Sequence, residues 1–145
     1  MRTMEQIMTK DSVTVTTQDN VYEIALKMKQ HDSGFMPVVD GKKLIGVVTD
    51  RDLAVRGYAE KKSGSTAVEE VMTKEVITAT PQTSADEAAK LMANNKIRRL
   101  PIVENGELLG VVAIGDLAVR EQLQDEAGEA LSSISESKKT MSTMK

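Results

Sequence analysis

The chain contains no cysteine and no tryptophan, a single histidine, three prolines and only 2% aromatic residues. The lack of cysteine excludes disulfides, thiolate metal sites and thiol nucleophiles, and it fits a reducing compartment. The lone histidine, His31, has no second imidazole with which to build a metal site. Followed by Asp32-Ser33-Gly34, it reads as the C-terminal end of a helix. Neither a GxxxxGK[ST] loop nor a GxGxxG turn occurs. No constellation for nucleophilic, metal or paired-carboxylate catalysis is visible, so a non-enzyme is expected.

No apolar run approaches the roughly 20 residues of a membrane span, and Met1–Gln6 lacks the apolar stretch of a signal peptide. A cytoplasmic protein with no membrane partner is expected. The net charge of −3 and pI near 5.3 lack the basic footprint of a phosphate-backbone binder. Two tyrosines and one phenylalanine make a poor platform for stacking bases. Nucleic acid is therefore disfavoured as a partner.

What the chain does have is a duplication. Gly46-Val47-Val48-Thr49-Asp50-Arg51-Asp52-Leu53 reads as a short strand running into the first turn of a helix. Gly110-Val111-Val112-Ala113-Ile114-Gly115-Asp116-Leu117 repeats that frame 64 residues later. From Met8 to Arg56, about 20 of 49 positions are identical to the later copy without a gap. Two copies of one unit suggest a pseudo-two-fold arrangement with a shared buried face. The copies divide the chain into residues 1–62 and 63–124, followed by a helical extension and tail over 125–145.

Each copy reads strand, helix, strand, strand, helix. Val13–Thr16 and Val76–Ala79 are short β-branched runs. Asn20 with Glu23, and Ser84 with Glu87, have capping-box spacing and open a helix in each copy. Val21, Ile24, Ala25 and Met28 then recur at helical spacing, as do Ala85, Ala88, Ala89 and Met92. A hairpin follows: Phe35–Val39 with Leu44–Val48, and Leu100–Val103 with Leu108–Val112. The turns carry Asp40-Gly41-Lys42 and Glu104-Asn105-Gly106. Asp50–Tyr58 and Gly115 to about Gln124 are the closing helices. Tyr58–Ser65 is a solvated linker. Thr66–Met72 reads as a short capped helix, with Thr3–Met8 in the same role for the first copy.

Thr49 and Asp52 stand at i and i+3 where strand gives way to helix. Two readings are open: Asp52 and Asp116 are helix caps favoured by the macrodipole, or they are carboxylates whose free face accepts both hydroxyls of a vicinal diol such as ribose. Arg98-Arg99 precede Pro101. Their guanidinium forks suit phosphate oxygens or surface carboxylates. The first copy has Gly34 and Phe35 there, so the feature is one-sided.

The Met-Thr openings (Met8-Thr9, Met72-Thr73), the Pro-led strands and the two Gly46–Leu53-type junctions, in order and twice over, resemble a tandem pair of cystathionine-β-synthase-type (CBS) domains, a Bateman module. The resemblance covers about Met4 to Arg120. It implies an α/β (α+β) fold of two β-α-β-β-α units packed sheet to sheet, commonly as a homodimer. It also implies a regulatory, energy-sensing role toward an unidentified partner protein, with AMP, ADP or ATP in clefts between repeats and no required cofactor. On that pattern Thr49 and Asp52 hold ribose, Asp116 is the corresponding carboxylate of the second cleft, and Arg98 and Arg99 reach phosphate. With Ala113 in place of threonine, and Gly34 and Phe35 in place of arginine, the second cleft is expected to be weaker, empty or suited to an uncharged ligand. The alternative is a ligand-free scaffold that dimerises or docks a partner.

Overall fold

Two hairpins and the capped helices that precede them carry the fold. The computed structural model describes residues 2–118. The expected continuation of the last helix to Gln124, the extension over Asp125–Ile134 and the tail Ser135–Lys145 lie outside the described residues. The fold mixes α and β and groups into two compact units. Among the described residues, one contains 12–76 with 105–108, the other 2–11, 77–104 and 109–118.

In the first of these units, β1 (Val15–Thr16) pairs in parallel with β2 (Phe35–Asp40), which pairs antiparallel with β3 (Lys43–Thr49). A bulge falls between Val38 and Val39. The helix α2 (Val21–His31) crosses from β1 to β2. Asn20 accepts the Glu23 N–H at 2.8 Å while Glu23 accepts the Asn20 N–H at 2.9 Å, the reciprocal box its spacing predicts. The helix stops at Asp32, in the left-handed region at φ 50°, whose N–H donates to Met28 O. His31 is thus the last helical residue. The segment Asn105–Leu108 clusters here as well: Lys43 pairs with Glu107, and Leu44 N–H donates to Gly106 O at 3.0 Å.

The second unit holds α1 (Met4–Ile7), α4 (Ala85–Asn95), β4 (Arg99–Glu104), most of β5 (Glu107–Ala113) and α5 (Ile114–Ala118). The intervening α3 (Asp50–Asp52) belongs to the first unit. Ser84 and Glu87 cap α4 reciprocally at 3.2 and 3.0 Å. Its alanines form one buried face with Met92, whereas Ala25, the counterpart of Ala89, is exposed.

The opening segments are exchanged. Thr73 N–H donates to Val47 O and Val47 N–H to Thr73 O, at 2.8 and 2.9 Å. In the same way Thr9 and Val111 exchange bonds of 2.9 and 3.0 Å. Each copy's opening therefore docks on the returning strand of the other copy. Val68, Val71 and Met72 enter the core of Val15, Ile24, Met36, Val38 and Val48. Met4 and Ile7 enter the core of the α4 alanines, Leu100, Ile102 and Leu117. The glycines that start the two repeated motifs are required by this docking. A Cβ on Gly46 would sit 2.8 Å from Thr73 O, and one on Gly110 would sit 2.8 Å from Thr9 O.

Two expectations are corrected. The run Val76–Ala79 is not a strand, since only Ala79 pairs, in a single parallel bridge to Ile102. Pro81 follows two residues later, and Thr80 turns back onto Thr83 instead of continuing. Thr66–Met72 is not a capped helix but a 3-10 turn over Val68–Glu70, whose leading residue, Ala67, has no side chain to cap it.

Candidate functional site

Both candidate junctions are made where a returning strand ends and the chain turns into a helix. At the first, β3 delivers Thr49 in extended conformation (φ −120°, ψ 166°), and α3 starts at Asp50. The Thr49 hydroxyl oxygen accepts the Asp52 N–H at 3.1 Å, and Asp52 Oδ2 accepts the Thr49 N–H at 2.9 Å. This reciprocal pair satisfies one donor of the first helical turn and fixes the carboxylate plane. It leaves chemistry over. The threonine oxygen uses a lone pair in this box, so its proton is free to be donated elsewhere. Among the described residues Asp52 Oδ1 has no backbone donor, and its ion-pair contact is Arg56 Nε at 4.0 Å. The Asp52 side chain is 15% exposed, shielded yet reachable. The capping role of Asp52 is real, and it occupies one carboxylate oxygen only.

Beyond Asp52 the helix widens. Leu53–Gly57 forms a π-helical turn and Tyr58–Glu60 a 3-10 turn. Arg56 leaves this wide turn, and its Nη1 donates to Met72 O at 2.8 Å, with Val71 O at 3.4 Å.

At the second junction, Ala113 N–H donates to Asp116 Oδ2 at 2.9 Å. Alanine cannot return the bond, so half the box is missing. Ile114 N–H donates to Arg98 O at 2.9 Å, the counterpart of Asp50 N–H to Gly34 O at 2.9 Å in the first copy. The backbone frame is thus repeated while its side chains differ. At Gly34 an added Cβ would meet the carboxylate of the exposed Asp50, with Asp50 Cγ at 2.8 Å, so that side chain would have to turn away. Arg98 has no such obstacle, because Ile114 replaces Asp50 and is buried.

Arg98 and Arg99 are both exposed. Arg99 Nη1 lies 3.5 Å from Arg98 O. Among the described residues neither guanidinium has a carboxylate in ion-pair range; the three pairs present are Lys27–Asp19, Arg56–Asp52 and Lys62–Glu70. The surface-salt-bridge reading of these arginines therefore finds no partner there. Thr49 and Asp52 are brought together in one compact unit, and Arg98, Arg99 and Asp116 belong to the other. Among the described residues no group of three or more His, Asp or Glu could hold a metal ion, and no helix is long and apolar enough to cross a membrane.

Arg56 was not visible as a site residue from motif spacing alone. Its signal was the pentapeptide Asp52-Leu53-Ala54-Val55-Arg56, which recurs unchanged as Asp116-Leu117-Ala118-Val119-Arg120. An apolar helix face explains Leu and Val in both copies but gives no reason for the arginine.

Comparison with known proteins agrees with this duplicated frame. A Bacillus subtilis protein, YlbB, is 45% identical over 138 residues, covering 94% of this chain and 93% of its own. Inosine-5'-monophosphate dehydrogenase of Korarchaeum cryptofilum is 40% identical over 129 residues, which is 86% of this chain but 26% of that enzyme. Among solved structures, the CBS domain pair of protein MJ0100, in complex with 5-methylthioadenosine and S-adenosyl-L-methionine, superposes with a TM-score of 0.73. It is 28% identical and covers 82% of this chain and 94% of that one. The CBS domain family matches residues 4–56 and again 68–120, so the chain belongs to the CBS-domain family and carries two copies of its domain.

Proposed function

We propose that this protein is a non-catalytic sensor that binds an adenosine-containing nucleotide and regulates a partner protein. In this reading Thr49 and Asp52 take the ribose hydroxyls, Arg98 and Arg99 take phosphate, and Asp116 is a weaker second ribose acceptor. The observation that carries it is the divided carboxylate of Asp52. Oδ2 is spent on the Thr49 N–H, and among the described residues Oδ1 has no backbone donor. An ionised carboxylate is an acceptor only, which matches the two donors of a vicinal diol. Hydrogen bonds to a charged acceptor are the stronger kind, each contributing about 1.5–3 kcal/mol. Arg98 and Arg99, exposed and with no carboxylate in ion-pair range among the described residues, support an anionic end on the ligand, and the adenosine-type ligands of the MJ0100 structure support the ligand class.

Calorimetric titration with AMP, ADP and ATP tests the proposal. Saturable binding is expected, with Asp52→Ala or Arg99→Ala abolishing it. Thr49→Ala, which removes a ribose contact together with half of the cap, is expected to weaken binding. No binding of any adenosine compound at millimolar concentration contradicts the proposal.

A homodimer is part of the same reading. Val55 and Tyr58 lie three residues apart on one helical segment, and Tyr58 is 86% exposed. Light scattering that returns a monomer mass contradicts the dimer.

A further inference from the structure

Arg56 touches two things that no other described side chain connects. Its Nε faces Asp52 Oδ1 at 4.0 Å, and its Nη1 donates to the carbonyls of Met72 (2.8 Å) and Val71 (3.4 Å). Those carbonyls open the second copy, and the next residue, Thr73, exchanges two backbone bonds with Val47. Val47 lies two residues before Thr49 on β3. The ring is closed: Asp52, Arg56, Val71–Met72, Thr73, Val47, Thr49 and back to Asp52. All of it falls within one compact unit.

The guanidinium suits this position because it is a rigid planar fork with several N–H groups aimed in different directions. One edge can hold carbonyls while another faces a carboxylate. Lysine offers a single flexible ammonium and cannot span both. The π-helical turn over Leu53–Gly57 begins directly after Asp52 and contains Arg56, and it sets the direction in which the arginine leaves the helix.

We infer that Arg56 is a positioning residue for the Asp52 carboxylate and links occupancy of that carboxylate to the docked segment Val68–Thr73. The inference rests on the reading of Asp52 as the ribose acceptor. A diol on Oδ1 adds a second hold on a carboxylate whose plane the Thr49 cap already fixes. The guanidinium then holds that geometry and tightens on the Val71 and Met72 carbonyls. The segment that enters the core of the first copy therefore opens less often when ligand is bound. By reciprocity, a mutation that loosens the segment weakens the ligand.

Amide hydrogen exchange read by NMR, with AMP as the probe, tests this. In the wild-type protein, saturating AMP is expected to slow exchange at the Thr73 and Val47 amides by at least about fivefold. In Arg56→Met, AMP affinity falls about tenfold and the slowing at Thr73 disappears even at saturation. Arg56→Lys restores part of the affinity through its charge but not the slowing at Thr73. An Arg56→Met protein that keeps either wild-type affinity or wild-type slowing overturns the inference.

A ligand-free arm separates failure of the site reading from failure of the linkage. Without ligand, Arg56→Met is expected to speed exchange at Thr49 and Thr73 while amides inside α2 stay unchanged. If wild-type protein binds no AMP, the ribose reading falls and this arm alone decides the clasp. Unchanged rates at both amides overturn it.

Discussion

The two strand-to-helix junctions share a backbone and differ in what they can bind. In both, an aspartate three residues past the strand end accepts the N–H of that last strand residue at 2.9 Å. In both, the next residue's N–H returns to the carbonyl that precedes the hairpin, also at 2.9 Å. The first has a threonine to complete the box and a carboxylate, Asp50, over Gly34. The second has an alanine, and an arginine, Arg98, where the first has glycine. The difference teaches that the fold needs the frame twice but needs the side-chain chemistry only once. Gly34 and Asp50 fit each other, since the Asp50 carboxylate occupies the space that a Cβ on residue 34 would take.

The comparison can be broken most forcefully at its shared glycines. Gly46→Ala and Gly110→Ala each push a Cβ to 2.8 Å from a backbone carbonyl that has no rotamer with which to escape. Each is expected to cost about 2–3 kcal/mol in chemical denaturation. Similar losses at both sites support the exchanged docking of Thr73 and Thr9, and a neutral result at either contradicts it there. Next in size is the pair that distinguishes the copies. Gly34→Ala should cost at most about 1 kcal/mol, since the exposed Asp50 carboxylate can turn away. The cost should shrink to within about 0.5 kcal/mol when Asp50→Ile supplies the residue of the second copy. An undiminished cost in the double mutant would mean that the clash is not with Asp50. Effects of that size or smaller sharpen the cap comparison. Thr49→Ala should destabilise by about 1 kcal/mol, and Ala113→Thr, completing the missing half of the second box, should stabilise by about 0.5 kcal/mol.

Much of this frame was legible in the sequence because local chemistry fixes it. Asn20 with Glu23 and Ser84 with Glu87 announce helix starts that tertiary packing does not override, and both boxes form. Alternating strands around Gly-containing turns gave the hairpins. Asn105 and Gly106 take positive φ as such a turn demands. The exchange of opening segments was not legible. Repetition assigns Met8-Thr9 to the first copy and Met72-Thr73 to the second, and only long-range pairing shows each on the other's strand. The run Val76–Ala79 misled for a related reason. β-branched content marks a preference for extended backbone, not the presence of a partner along its length. At the site, the spacing of Thr49 and Asp52 showed that the two could share a cap but not which carboxylate oxygen the cap consumes. The role of Arg56 needed coordinates because its carbonyl partners lie 15 and 16 residues away.

The central claim is that the first junction, not the second, holds the sugar of an adenosine ligand. Amide NMR reports on it directly, because the Thr49 and Ala113 N–H groups each donate to the aspartate of their own junction. Titration with AMP is predicted to shift the Thr49 and Asp52 amides saturably while Ala113 and Asp116 lag behind at higher concentration. Saturable shifts at Ala113 and Asp116 with Thr49 unmoved, or no shift at either junction at millimolar AMP, would contradict it.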